Sequence, residues 1–114
     1  MINWEEFNSL FQYYGNDIVI EIINMFEEEY DERFDALKKS IDKLDFKEIQ
    51  NNRRHLKGII GNFYDPVPIA ASNRLKEMVY AETAVGLKEE FEKFKTAADS
   101  LLFELREYRK TLTA

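Results

Sequence analysis

The single histidine of this chain, His55, lies in the stretch Asn52-Arg53-Arg54-His55-Leu56-Lys57-Gly58-Ile59-Ile60-Gly61-Asn62-Phe63. An imidazole titrates near neutral pH and is a nucleophile, so it could accept a phosphoryl group if cations nearby steadied the phosphoryl oxygens. Arg54 and Lys57 supply that charge. Other chemistries fail on the residues themselves. A carboxylate-bridged di-iron site needs two Glu-x-x-His pairs, and the residue three before His55 is Asn52. A hydrolase triad lacks a nucleophile elbow. Structural zinc lacks ligands, since there is no cysteine. No metal or cofactor is expected, and enzyme action in the strict sense is not.

The element that must position His55 is a helix. Ile49, Leu56, Ile60 and Phe63 recur at steps of seven, four and three, the spacing of one apolar helical face. At about 100° per residue, the opposite side presents Asn51, Arg54, Gly58 and Asn62, with His55 and Gly61 on its shoulders. Two glycines inside a helix cost roughly 1 kcal/mol each relative to alanine. Their place beside the charged residues suggests access: a bare backbone lets a second surface come close.

Arg54-His55-Leu56-Lys57-Gly58 resembles the His-x-Leu-Lys-Gly motif of histidine phosphotransfer (HPt) domains, the helical relays of two-component signalling. The resemblance extends to Leu44-Asp45-Phe46 as a helix start, to Phe26 in the second helix and to Arg74-Leu75-Lys76-Glu77 in the fourth, and so spans nearly the whole chain. It departs at one residue. Counted back from Leu56-Lys57-Gly58, the phosphoacceptor slot holds Arg54, and His55 falls in the variable position. The family has small residues at positions 52 and 53, where this chain has Asn52 and Arg53. The resemblance implies a receiver-docking surface of Asn51, Arg54, His55, Lys57, Gly58, Gly61 and Asn62. It implies as partner a response-regulator receiver domain or the hybrid histidine kinase that supplies one.

A guanidinium is permanently protonated and a poor nucleophile, so Arg54 cannot replace the acceptor. It could meet the acidic pocket of a receiver and hold it without transfer. His55 lies about 100° round the helix from Arg54, and transfer through it would demand a changed approach. The expectation is a docking module degenerate in phosphotransfer. An active relay with His55 as phosphoacceptor is the alternative, and an interaction bundle with an unrelated partner is the third reading.

The rest of the chain reads as helices. Asn3 with Glu6 predicts a short first helix to about Tyr13, with Trp4, Phe7, Leu10 and Phe11 as its apolar side. Asn16 or Asp17 should cap a second helix in which Val19, Ile22, Ile23, Phe26, Tyr30, Phe34, Leu37, Ile41 and Leu44 face a core. Asp45 begins the third with almost no linker, which requires a tight antiparallel pair. Counting equal rises from that turn puts Arg54 level with residues 31–35, so Arg54 or Arg53 is expected to pair with Asp31, Glu32 or Asp35. For Arg53, close to the apolar stripe, the choices are an extended stem with its head in water or a buried pair with Asp99 or Glu104. Pro66 and Pro68 open a fourth helix, about 67–82, and Gly86 precedes a fifth, about 87–111. The predicted fold class is all-α: an antiparallel four-helix bundle with a short extra N-terminal helix, one domain over 1–114.

Composition agrees with that class. A chain of 114 residues, 45% hydrophobic and 33% charged, supports one core and is not a disordered segment. A net charge of −6 argues against nucleic acid. The longest apolar run, Ile18-Val19-Ile20, stops at Glu21, so neither a membrane span nor a signal-peptide core is predicted. Acidic helix faces likewise disfavour a membrane surface. A soluble cytoplasmic protein starting at its natural methionine is the expectation.

Overall fold

Asn3, Asp45 and Asp65 each open a helix by accepting a hydrogen bond from its first turn. Asn3 Oδ1 accepts from Glu6 N (3.2 Å) and Asn3 Nδ2 donates to Glu6 Oε1 (3.0 Å), a reciprocal cap. Asp45 accepts from Glu48 N (3.2 Å), and Asp65 from Val67 N (3.0 Å) with Pro66 in the first turn. A computed structural model describes residues 1–113. Its order is α1 (Trp4–Phe11), α2 (Asn16–Asp42), α3 (Phe46–Ile60), a 3-10 turn (Gly61–Phe63), α4 (Pro66–Tyr80) and α5 (Leu87–Thr113). The second helix differs from expectation at its start. Gly15, with no side chain to offer, occupies the cap position, and Asn16 and Asp17 are already helical.

The corners need unusual backbone. Leu44, Tyr64 and Glu82 adopt left-handed conformations where α2, the 3-10 turn and α4 end, with φ of 52°, 58° and 48°. Gly86, at φ 82°, is the one such position filled by the residue suited to it. Thus Leu44, expected in the apolar stripe of α2, turns outward instead and is exposed.

Five helices pack into a compact all-helical body with no strand among the described residues. Both α2 and α4 pack against α3 and α5, which closes a ring of four, and α1 lies outside it on α5. The long axis is 45 Å, close to the ~40 Å that a 27-residue helix spans at 1.5 Å per residue. Inside the ring, Phe26, Tyr30, Phe34 and Phe94 stack along the axis with centroids 5.5, 4.8 and 5.2 Å apart. Each fully buried ring contributes about 1.5–3 kcal/mol by leaving water. Trp4 and Phe7 fix α1 by packing on Tyr108 at 4.9 and 5.3 Å, and Asn3 N donates to Tyr64 O (2.7 Å). No helix among the described residues is long and apolar enough to cross a membrane.

Candidate functional site

Three sides of α3 are occupied by packing, and this decides what its fourth side offers. Ile49, Arg53, Leu56 and Ile60 face the core. Toward α2, Asn52 Nδ2 donates to Ala36 O (3.2 Å) and Ser40 Oγ (3.4 Å). Toward α4, Gln50 Nε2 donates to the Tyr80 hydroxyl (3.3 Å), Arg53 Nη1 to Ser72 Oγ (3.0 Å) and Lys57 Nζ to Asn73 Oδ1 (3.1 Å). Asn51, Arg54, His55, Gly58 and Asn62 remain, all exposed.

Gly58 sits near the middle of that outward strip. At about 100° per residue, Arg54 lies about 40° round from it on the α4 side and His55 about 60° round on the α2 side. A Cβ built at Gly58 or Gly61 would meet nothing within 4 Å, so neither glycine is there to let another helix of this chain approach. Neither Arg54 nor His55 has a hydrogen-bond or ion partner among the described residues. Lys57 is less free than the sequence suggested, because Asn73 holds it. Gly61 lies at the start of the 3-10 turn, with Asn62 beside it, so the helical register ends before them.

The expected ion pairs of Arg53 and Arg54 with Asp31, Glu32 or Asp35 are absent. The axial level was right: Asn52 meets Ala36, so antiparallel counting puts Arg54 opposite residue 34. Rotation separates them, since Arg54 is turned toward α4 and Arg53 reaches Ser72. Arg53 neither extends into water nor pairs with α5. It is 2% exposed, with Nε donating to Gln50 Oε1 at 2.9 Å and Nη1 to Ser72, and no carboxylate pairs with it among the described residues. Burial pushes its pKa down, but a guanidinium stays charged. Both proposed acids are engaged elsewhere. Asp99 accepts from the Tyr30 hydroxyl and from Lys95 Nζ (2.6 Å), and Glu104 accepts from Ile2 N (3.3 Å).

Charge is strongly divided over the molecule. Residues 46–80 hold six of the 16 Lys and Arg and three of the 22 Asp and Glu, a net +3, which leaves −9 on the rest. On the α2 and α5 side most cations have an acid: Lys39 pairs with Asp35, Lys95 with Asp99, and Arg106 and Arg109 both with Glu27. By contrast Lys47, Arg53, Arg54, Lys57 and Lys76 form no ion pair among the described residues; Lys76 Nζ instead lies 5.6 Å over the Tyr80 ring. Sequence reading missed this face. Its signal was the scarcity of acid between residues 46 and 80.

A second surface was also missed. Between α1, α2 and the end of α3 runs a groove of about 360 Å³, floored by Phe26 and Phe63 and walled by Leu10, Tyr14, Met25 and Ile59. Leu10 was expected to face the core, yet it stands at this groove and is exposed. No group of three or more His, Asp or Glu gathers to hold a metal among the described residues. Comparison with protein-family models, curated proteins and solved structures finds no match to this chain.

Proposed function

We propose that this chain is an HPt-like signalling module that docks a response-regulator receiver domain, or the hybrid histidine kinase supplying one, without passing a phosphoryl group. The observation that carries the reading is Arg54, a permanent cation with no acid partner among the described residues, beside a Gly58 whose outward side is open. Three more cations on the α3 and α4 side, Lys47, Lys57 and Lys76, have no ion pair among the described residues and favour an acidic surface opposite, and the desolvated Arg53 adds a charge that water screens poorly. The fold that goes with this reading is an antiparallel four-helix bundle of α2 to α5 with α1 added outside, in a cytoplasmic protein. Asn51, His55, Gly61 and Asn62 would complete the contact.

His55 as the phosphoacceptor is the second reading, favoured by an exposed ring without a partner among the described residues. Incubation with a receiver carrying labelled aspartyl phosphate separates the two. Docking without transfer requires that the receiver be retained on the immobilised protein, that Arg54→Glu release it, and that no acid-labile label appear on the bundle. Label on the parent that disappears in His55→Ala makes the chain an active relay. Failure to retain any receiver rejects both readings and leaves an interaction bundle with an unrelated partner.

A further inference from the structure

Exposed apolar residues are ordinary when scattered and informative when they cluster. In this chain Leu10, Tyr13, Tyr14, Ile18 and Met25, five of the eleven large exposed hydrophobics, gather on the end of α1 and the first half of α2. Leu10, Tyr14 and Met25 line the groove floored by Phe26 and Phe63. Covering a group of that kind takes apolar surface out of water, which favours association.

The charge around the groove selects what covers it. Residues 1–32 contain nine Asp and Glu and not one Lys or Arg; the first cation of the chain is Arg33. Glu29 lines the groove itself. Glu6 stands one turn before Leu10 on α1, Glu21 one turn before Met25 on α2, and Glu32 one turn beyond Glu29. Of the nine acids only Glu27 and Glu29 have a Lys or Arg partner among the described residues. Glu27 faces α5 with Arg106 and Arg109, and Glu29 is 3.8 Å from Arg33.

A second copy meeting the groove with the same patch would bring acid against acid, and one turned to present its α3 and α4 side would bring cations but no exposed apolar stripe of its own comparable to the groove's rim. An anionic lipid surface is repelled by the same acids. An extended peptide would lay unpaired backbone amides along an apolar groove, since a helical protein offers no sheet edge. A helix satisfies its own backbone and can seat an apolar stripe at i, i+4 and i+7.

We propose that the groove between α1, α2 and the end of α3 is a docking site for an amphipathic helix of another protein, apolar on one face and flanked by Lys and Arg. The site does not rest on the receiver reading. It borders that surface only at Asn62, and its charge preference is the reverse.

The test uses fluorescence anisotropy of the full chain with three fluorescein-labelled synthetic peptides. One is a Leu/Lys peptide patterned as an amphipathic helix, one a scrambled peptide of the same composition, and one a Leu/Glu peptide with the same apolar stripe. The Leu/Lys helix binds, the scrambled peptide binds about tenfold or more weakly, and the Leu/Glu helix does not bind. Met25→Lys, at a position 57% exposed, and Glu29→Lys each weaken the Leu/Lys complex about tenfold; Met25→Lys leaves the melting temperature unchanged, and Glu29→Lys, which breaks the pair with Arg33, lowers it by no more than a few degrees. Equal binding of the scrambled peptide reduces the effect to net charge and overturns the proposal. So does binding indifferent to Met25→Lys, a dimer in sedimentation equilibrium, or uptake by phosphatidylglycerol vesicles.

Discussion

Arg53 holds a full charge at 2% exposure with only neutral partners, and this makes the Ser72 hydroxyl, itself 0% exposed, its main support from α4. Ser72→Ala removes an acceptor from a buried cation, a loss of about 1.5–3 kcal/mol when the donor is charged. Arg53→Met keeps most of the stem and removes the charge with its desolvation cost. It orphans a serine hydroxyl that can turn back to a carbonyl of its own helix, so the change costs at most about 1 kcal/mol. With both replaced, neither partner is left wanting, and the double variant should be more stable than Ser72→Ala alone. The expected coupling energy is about 1–3 kcal/mol. Urea unfolding followed by circular dichroism measures it, provided the four m-values agree. If the single effects sum to the double within about 0.5 kcal/mol, the two side chains do not support each other.

Gly58→Ala should raise stability by about 0.5–1 kcal/mol, because the added Cβ meets nothing and a helix-interior glycine is replaced; a melting curve that drops instead shows that the site is not open. Glu27→Gln should cost about 1 kcal/mol at pH 7, discounted because the side chain is partly exposed. Hydrogen bonds from Arg109 and then Arg106 lower the Glu27 pKa, so its contribution is present above about 4.3 and fades as pH falls through the lowered native value. Melts of parent and variant should therefore converge toward pH 3. Burial, then the hydrogen bond to Asp99, pushes the Tyr30 phenol above its ordinary value. Its contribution is full below about pH 10 and declines above it, as the unfolded chain ionises first. Tyr30→Phe should reduce the loss of stability between pH 9 and 11, and an unchanged alkaline slope would contradict the assignment.

The helices were legible because their apolar residues repeat at helical spacing and because Asn3, Asp45 and Asp65 mark their starts. The outward strip of α3 was legible for the same reason. What failed was the partner of each charge. Axial level can be counted from a tight turn, and Arg54 does lie opposite residue 34. Which neighbouring helix a side chain leans toward depends on how the whole ring closes, and that information is spread over α4 and α5. Arg53 illustrates it: water or an acid was expected at its head, and a serine on α4 stands there instead. Leu10 was counted as core because periodicity reports a face and not its cover. Where α1 ends leaves that face partly bare.

Acid concentrated at one flank and cation at another make the molecule a dipole as well as an anion. A charged partner diffusing past will feel a torque before it feels a contact, and more of its collisions will arrive facing the correct side. The division of charge should thus speed encounter more than it strengthens the hold, an advantage that dilute buffer reveals and concentrated salt erases.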